Sequence, residues 1–253
     1  MNQTKIYGHR GAKGRYPENT LLSFQQAILQ GVDGIELDVH LSKDGEVVVI
    51  HDEFLNRTTD GTGFVRACTL EEIKKFSAGS KFSSLPDYEE SWILEKVPTL
   101  KEVLQLLAPY PIELNIELKT YTFEYEGIEE KTIALVNEYG NGRKVVYSSF
   151  HLPTLLRIKG IDPAASIAWL LNHVISHPLD YIKSLGLESL HLHKDMVIDN
   201  LKDWQELKTL VRVWTVNQKE ELVQLMDAEV ESIITDYPEL AIAIRQERAV
   251  PID

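Results

Sequence analysis

Apolar residues recur along this chain in two alternating rhythms. Period two reads as strand, and apolar positions three and four apart read as helix. Ile6–Gly8 is a first short strand, and Leu21, Leu22, Phe24, Ile28 and Leu29 mark a helix that Asn19 or Thr20 can cap and Gly31 stops. Residues 34–41 alternate as a second strand, and the Lys43-Asp44-Gly45 turn leads to a short apolar strand, Val47–Ile50, ending on His51-Asp52. The alternation then breaks. Residues 56–63 read as a loop, Thr69–Glu72 as a capping box opening a short helix, and residues 77–92 show no period. An insertion of that length beside polar residues reads as a wall or lid of a site, or as a disordered surface loop.

From Thr99 the rhythm returns. Helices are predicted at 99–107, 128–138, 152–159, 179–185, 200–207, 220–226 and 238–248. Strands are predicted at 112–119, 144–149, 166–171, 188–193, 211–217 and 232–236. With Val47–Ile50 set aside, eight strands each lead to a helix. That pattern predicts an α/β protein, one (β/α)8 TIM barrel domain over residues 1–253 with an insertion at roughly 52–97 after strand 2.

In such a barrel the site forms at the carboxyl ends of the strands. Polar residues fall there repeatedly: His9-Arg10, Glu36 and Asp38, Glu117 and Lys119, His191 and His193, Trp214 to Asn217, and Thr235-Asp236. Alone, Glu36 and Asp38 suit the solvated face of an ordinary hairpin. On neighbouring barrel strands, however, Glu36, Asp38 and Glu117 converge. Buried carboxylates repel and resist desolvation, so the trio calls for a hard divalent cation with oxygen ligands.

The formal net charge is −13 with a pI near 5.1, which argues against a nucleic-acid or anionic-membrane binder. An anionic small molecule stays open, because a bound cation with local Arg and Lys reverses the potential inside one cleft. The lone cysteine, Cys68, allows no internal disulfide and no thiolate cluster, and reads as a packing residue. The first residues carry no signal-peptide pattern, and no apolar run is long enough to span a bilayer. The expectation is a cytoplasmic protein; nothing in the chain points to an oligomeric state.

Several motifs occur in a fixed order: His9-Arg10-Gly11, Pro17-Glu18-Asn19-Thr20, Gly34-Ile35-Glu36-Leu37-Asp38-Val39, Lys43-Asp44-Gly45, His51-Asp52, Ile116-Glu117-Leu118-Lys119, Trp214-Thr215-Val216-Asn217 and Thr235-Asp236-Tyr237-Pro238. The ordered set resembles the glycerophosphodiester phosphodiesterases of the bacterial cytosolic type. Gly8 departs from it, standing where Ala or Ser is commoner. The resemblance implies hydrolysis of glycerophosphodiesters to sn-glycerol 3-phosphate and an alcohol with Ca²⁺ or Mg²⁺. It implies Glu36, Asp38 and Glu117 as metal ligands, His9 and His51 as the acid/base pair, and Arg10 and Lys119 on the phosphate. Trp214 reads as an apolar wall for glycerol or head group.

Blander readings stand beside these. Arg10 could bridge Glu18 or Asp38, and Asn19 reads as a cap as well as a rim residue. His191 and His193 read as rim or cleft contacts, while His40, His151, His173 and His177 read as surface or core residues. Two alternatives remain for function: a lysophospholipid phosphodiesterase of phospholipase D type, with an apolar mouth built from residues 77–97, and a non-catalytic barrel binding glycerol phosphates. A metal-free glycosidase would need two lone acids across a cleft.

Overall fold

The computed structural model describes residues 3–249. Its strands are β1 (Lys5–His9), β2 (Gly34–Leu41), β3 (Val47–Val49), β4 (Glu113–Leu118), β5 (Val145–Ser149), β6 (Ser166–Leu171), β7 (Ser189–His193), β8 (Val211–Trp214) and β9 (Ser232–Thr235). Its α-helices are α1 (Leu21–Gln30), α2 (Leu70–Ile73), α3 (Leu100–Leu107), α4 (Ile128–Tyr139), α5 (Leu152–Ile161), α6 (Pro178–Leu185), α7 (Lys194–Ile198), α8 (Lys219–Asp227) and α9 (Pro238–Ala249). Parallel neighbours run β1-β9-β8-β7-β6-β5-β4-β2, and β1 pairs with β2 to close the ring. β3 lies outside the ring, antiparallel to β2. The architecture is the predicted (β/α)8 barrel with an insertion after its second strand.

Every residue of β2 is buried, on both faces. A barrel strand has helices outside and side chains inside, so the solvated hairpin face is excluded. Ile35, Leu37 and Val39 join the main core. Around the ring, α1 starts where the Thr20 side chain accepts the Ser23 N–H at 3.2 Å, and it ends on Gly31 at φ 86°. Such a cap is worth about 1 kcal/mol. α3 opens on a capping box between Thr99 and Glu102, and it buries Leu100, Val103, Leu104 and Leu107 against the barrel.

At the amino-terminal mouth a charged plug replaces apolar filling. Arg212 is fully buried; its Nη1 donates to the Tyr7 hydroxyl at 2.8 Å and its Nη2 to Glu188 at 2.9 Å. The Tyr7 hydroxyl donates to Glu113, which also pairs with Lys5 at 2.8 Å. Glu188 pairs with Lys144 at 3.0 Å. Gly8 is enclosed as well. A Cβ there would stand 2.6 Å from the Gly11 carbonyl oxygen, so the family's commoner Ala or Ser does not fit this backbone without a shift.

The insertion is a packed wall. Leu55, Val65, Ile73 and Val97 form a small second core with Val48 and Ile50. Trp92 is buried against Tyr16, ring centroids 5.6 Å apart. Cys68 packs at the edge of this cluster, and burial pushes its thiol pKa up, which fits an inert packing residue.

Two expectations are corrected. Residues 200–207 form consecutive turns, and the helix after β7 is α7, Lys194–Ile198. The turns close through Asp203 N–H to Asn200 O and Leu207 N–H to Trp204 O, both 2.9 Å. Three-residue turns space Leu201, Trp204 and Leu207 as a helix face would, which explains the misreading. His191 is not at the rim. It is fully buried inside the barrel with both ring nitrogens unpartnered, and burial, then Arg212, lowers its pKa to about 3. His193 does reach the mouth, its ring 5.2 Å from that of Trp214.

Candidate active site

Strand register builds the carboxylate cluster. His9 is aligned with Glu36 across β1 and β2, and Asp38 with Glu117 across β2 and β4. Side chains two apart on a strand share a face, so Glu36, Asp38 and Glu117 all turn into the barrel mouth. One carboxylate oxygen from each lies within 4.8 Å of the others, and all three residues are buried. Asn115, aligned with Glu36, lines the cavity below them.

The charges are distributed unequally. Burial pushes the Asp38 carboxyl up, but Arg10, Lys119, His51 and a hydrogen bond from Asn19 hold it well below the usual range. Burial and then the Asp38 charge push Glu36 well above its usual range. Glu117 is also raised, by burial first, with Lys119 opposing and Asp38 adding to the rise. Oδ1 of Asp38 is buried without a hydrogen-bond partner. Raised carboxylates beside a buried anionic oxygen that accepts no hydrogen bond, with Lys119 Nζ near it at 3.5 Å, are the donor set that suits a hard divalent cation. The three residues therefore fit the metal that their motif implies.

Each histidine is held by a carboxylate. His9 Nδ1 lies 2.6 Å from Asp236 Oδ1, and its Nε2 lies 3.9 Å from Glu36. Burial opposes the charge on Asp236, yet His9, Lys13 and Asn217 lower its pKa to about 2. An ionised Asp236 only accepts, so Nδ1 of His9 carries the proton and Nε2 faces the cavity as an acceptor. Burial and Arg10 lower the His9 pKa to about 4 against the pull of Asp236. His51 Nδ1 lies 2.6 Å from Asp52 in the same manner.

Arg57, from the insertion, ties the two halves together. It donates to both oxygens of Glu18 at 2.8 Å, and to Asp52 at 2.7 and 2.8 Å. Glu18 in turn accepts from Arg10 at 2.7 Å, while Arg10 Nε stands 3.2 Å from Asp38. A continuous path thus runs from Asp38 through Arg10, Glu18, Arg57 and Asp52 to His51. Both bridges considered for Arg10 are present, and Arg10 also lines the cavity. Lys119 pairs with Glu117 at 2.9 Å and reaches Asp38 at 3.5 Å.

Asn19 has φ 56° and donates to Asp38 at 2.9 Å, so its side chain orients a cluster carboxylate while Thr20 caps α1. Trp214 stands against Phe150, ring centroids 5.6 Å apart, and its indole N–H has no partner. Trp214 and Phe150 line a cavity of about 90 Å³ that also touches His9, Arg10, Glu36, His51, Glu117 and Lys119. The site residues proposed from sequence thus surround one point. Asp52, Arg57, Asp236 and Asn217 were missed as supports. For Asp52, Asp236 and Asn217 the signal was their place inside the motifs themselves; Arg57 sits in an aperiodic loop and gave none.

Fold and rim define the class: a (β/α)8 barrel with its polar side chains gathered at the carboxyl ends of the strands, where such barrels carry their sites. The family model described as the glycerophosphoryl diester phosphodiesterase family matches residues 9–240, and the chain belongs to that family. A glycerophosphodiester phosphodiesterase of Caldanaerobacter subterraneus is 40% identical over 95% of this chain and 97% of its own. One from Bacillus altitudinis is 38% identical over 96% and 99%. Among solved structures, an Oleispira antarctica phosphodiesterase in complex with the product sn-glycerol-3-phosphate superposes with a TM-score of 0.86 at 28% identity, covering 96% of this chain and 97% of its own. The glycerophosphodiester phosphodiesterase of Agrobacterium tumefaciens gives 0.80 at 30% identity, over 95% and 99%.

Proposed function

We propose that this rim hydrolyses small glycerophosphodiesters to sn-glycerol 3-phosphate and an alcohol. Glu36, Asp38 and Glu117 would hold Ca²⁺ or Mg²⁺, and His9 and His51 would move the protons. The observation that carries the reading is the convergence of three buried carboxylates, with ligand oxygens within 4.8 Å, beside two carboxylate-held histidines. Cleaving a phosphodiester requires charge on the phosphoryl oxygens to be met, an attacking oxygen to lose a proton and the leaving alkoxide to gain one. The bound cation supplies Lewis-acid neutralisation of the phosphoryl charge. Arg10 and Lys119 line the same cavity and add positive charge. His9 is neutral near pH 7 with Nε2 free to accept, which suits the base; the acid is then His51. Trp214 and Phe150 wall one side of the cavity.

The lysophospholipid reading gains nothing from residues 77–97, since exposed Leu94 borders a separate hollow with Leu21 and Lys74. Among the described residues no helix is long and apolar enough to cross a membrane. A small-molecule substrate and a single barrel domain over 1–253 belong to the same proposal, as does a cytoplasmic site of action. The test offers glycerophosphocholine, glycerophosphoethanolamine and a lysophospholipid, each with and without chelator, and measures the released choline or ethanolamine. We expect turnover on the first two, lost with chelator. Chelator-resistant turnover, or faster release from lysophospholipid, would overturn the reading.

A further inference from the structure

A second cavity, of about 410 Å³, opens beside the catalytic one over the ends of β4, β5 and β6. The two share Glu117, Lys119, Phe150 and Leu170, so a phosphoryl group at the carboxylate cluster can extend one arm into it. His9, Asp236 and Trp214 lie across the mouth, on β1, β9 and β8 or just beyond their ends. The larger cavity has a distinctive lining. Aromatic rings come from Phe150, Trp169 and Tyr121, and a carboxylate comes from Glu53 in the insertion.

We propose that this cavity receives the alcohol arm of the diester, and that Glu53, with Phe150 and Trp169, selects a cationic amino-alcohol over a neutral or anionic one. This deepens the phosphodiesterase reading and rests on it. A carboxylate facing aromatic rings is the chemistry that recognises an ammonium group: the rings supply quadrupole attraction and apolar contact, and the carboxylate supplies charge. Glu53 is available for this role. Glu53 and Thr122 line the cavity together, and Lys119, a cation in the same lining, is engaged by Glu117 at 2.9 Å and Asp38 at 3.5 Å. Trp169 is fixed in turn, its indole N–H donating to the Phe150 carbonyl at 3.4 Å and its ring packing on Tyr181. A neutral polyol arm would leave the Glu53 charge uncompensated, and an anionic arm would be repelled by it.

The experiment measures kcat/KM of the metal-loaded full chain on glycerophosphocholine, glycerophosphoethanolamine and glycerophosphoglycerol, for the unaltered enzyme, Glu53→Gln and Trp169→Leu. Gln keeps the shape and removes the charge. We expect the unaltered enzyme to favour the two cationic substrates. Glu53→Gln should cut both by about tenfold while leaving glycerophosphoglycerol within about twofold, the scale of one partly solvated charge pair. Trp169→Leu should penalise the choline substrate most. Equal losses on all three substrates in Glu53→Gln would overturn the proposal, since Glu53 would then serve the shared glycerol arm or the fold. So would an unaltered enzyme that favours glycerophosphoglycerol. Absence of turnover on every diester by the unaltered enzyme would remove the phosphodiesterase reading itself, and the subsite with it.

Discussion

Replacing Asp236 by asparagine should damage the enzyme more than replacing it by alanine, because hydrogen-bond directions around it are fixed. Oδ1 of Asn217 accepts from the Asp236 backbone N–H at 3.0 Å and from the Thr235 hydroxyl at 3.2 Å. The Asn217 amide cannot turn without losing both, so its Nδ2 must donate to Asp236 Oδ2, at 2.9 Å. In Asp236→Asn the new carbonyl oxygen therefore has to face Asn217, and the new NH2 faces His9 Nδ1. His9 must then accept at Nδ1 and carry its proton on Nε2, the nitrogen that faces the cavity. A base in that tautomer cannot take a proton, so the variant should approach the His9→Ala loss of about 10²–10⁴ in turnover. Asp236→Ala leaves room for water, which can accept from Nδ1. Its cost is one charge-assisted hydrogen bond, about 1.5–3 kcal/mol, or roughly 10–10² in rate. Single-turnover rates for both variants, with metal affinity followed by calorimetry as a control, make the comparison. If Asp236→Ala were as slow as Asp236→Asn at equal metal affinity, the tautomer argument would be wrong.

Other consequences can be checked alongside. Asp38→Asn should weaken calorimetric Ca²⁺ and Mg²⁺ binding, with activity partly restored at high metal, whereas His51→Ala should bind metal nearly normally and lose about 10²–10⁴ in turnover. The reverse pattern would exchange these roles. Burial opposes the charge on Glu188, yet Arg212, Ser189 and Lys144 bring its pKa down from 4.5 to about 2. That depression stabilises the fold by about 3 kcal/mol above pH 4.5, and the contribution is lost as pH falls through about 2. Denaturant titrations of Glu188→Gln should show lower stability at pH 7 and a flatter decline from pH 4.5 to 2; an unchanged slope would count against the plug. Gly8→Ala should lower the stability by about 1–3 kcal/mol through its clash with the Gly11 carbonyl, and an unchanged thermal midpoint would contradict that.

The sequence by itself determined the barrel and the convergence of the carboxylate trio, because both are written in local period. Alternation fixed which side chains of residues 34–41 and 112–119 share a face, and the repeated strand and helix rhythm fixed the ring. Glu36, Asp38, Glu117 and His9 could be read as one rim once the strands were counted, whereas His51, which follows the strand outside the ring, joined them only through the motif resemblance. Periodicity failed where turns imitate it, as at Leu201, Trp204 and Leu207. It also failed for His191, whose place inside the barrel depends on how far along β7 the rim begins. What only the tertiary structure decided are contacts between residues far apart in the chain. Asp236 lies 227 positions from the histidine it orients, and Arg212 lies 205 from Tyr7. Arg57 joins Glu18 to Asp52 from an aperiodic loop. Such hydrogen bonds depend on register around a closed ring and on the packing of an insertion, and neither leaves a period in the residues that make them.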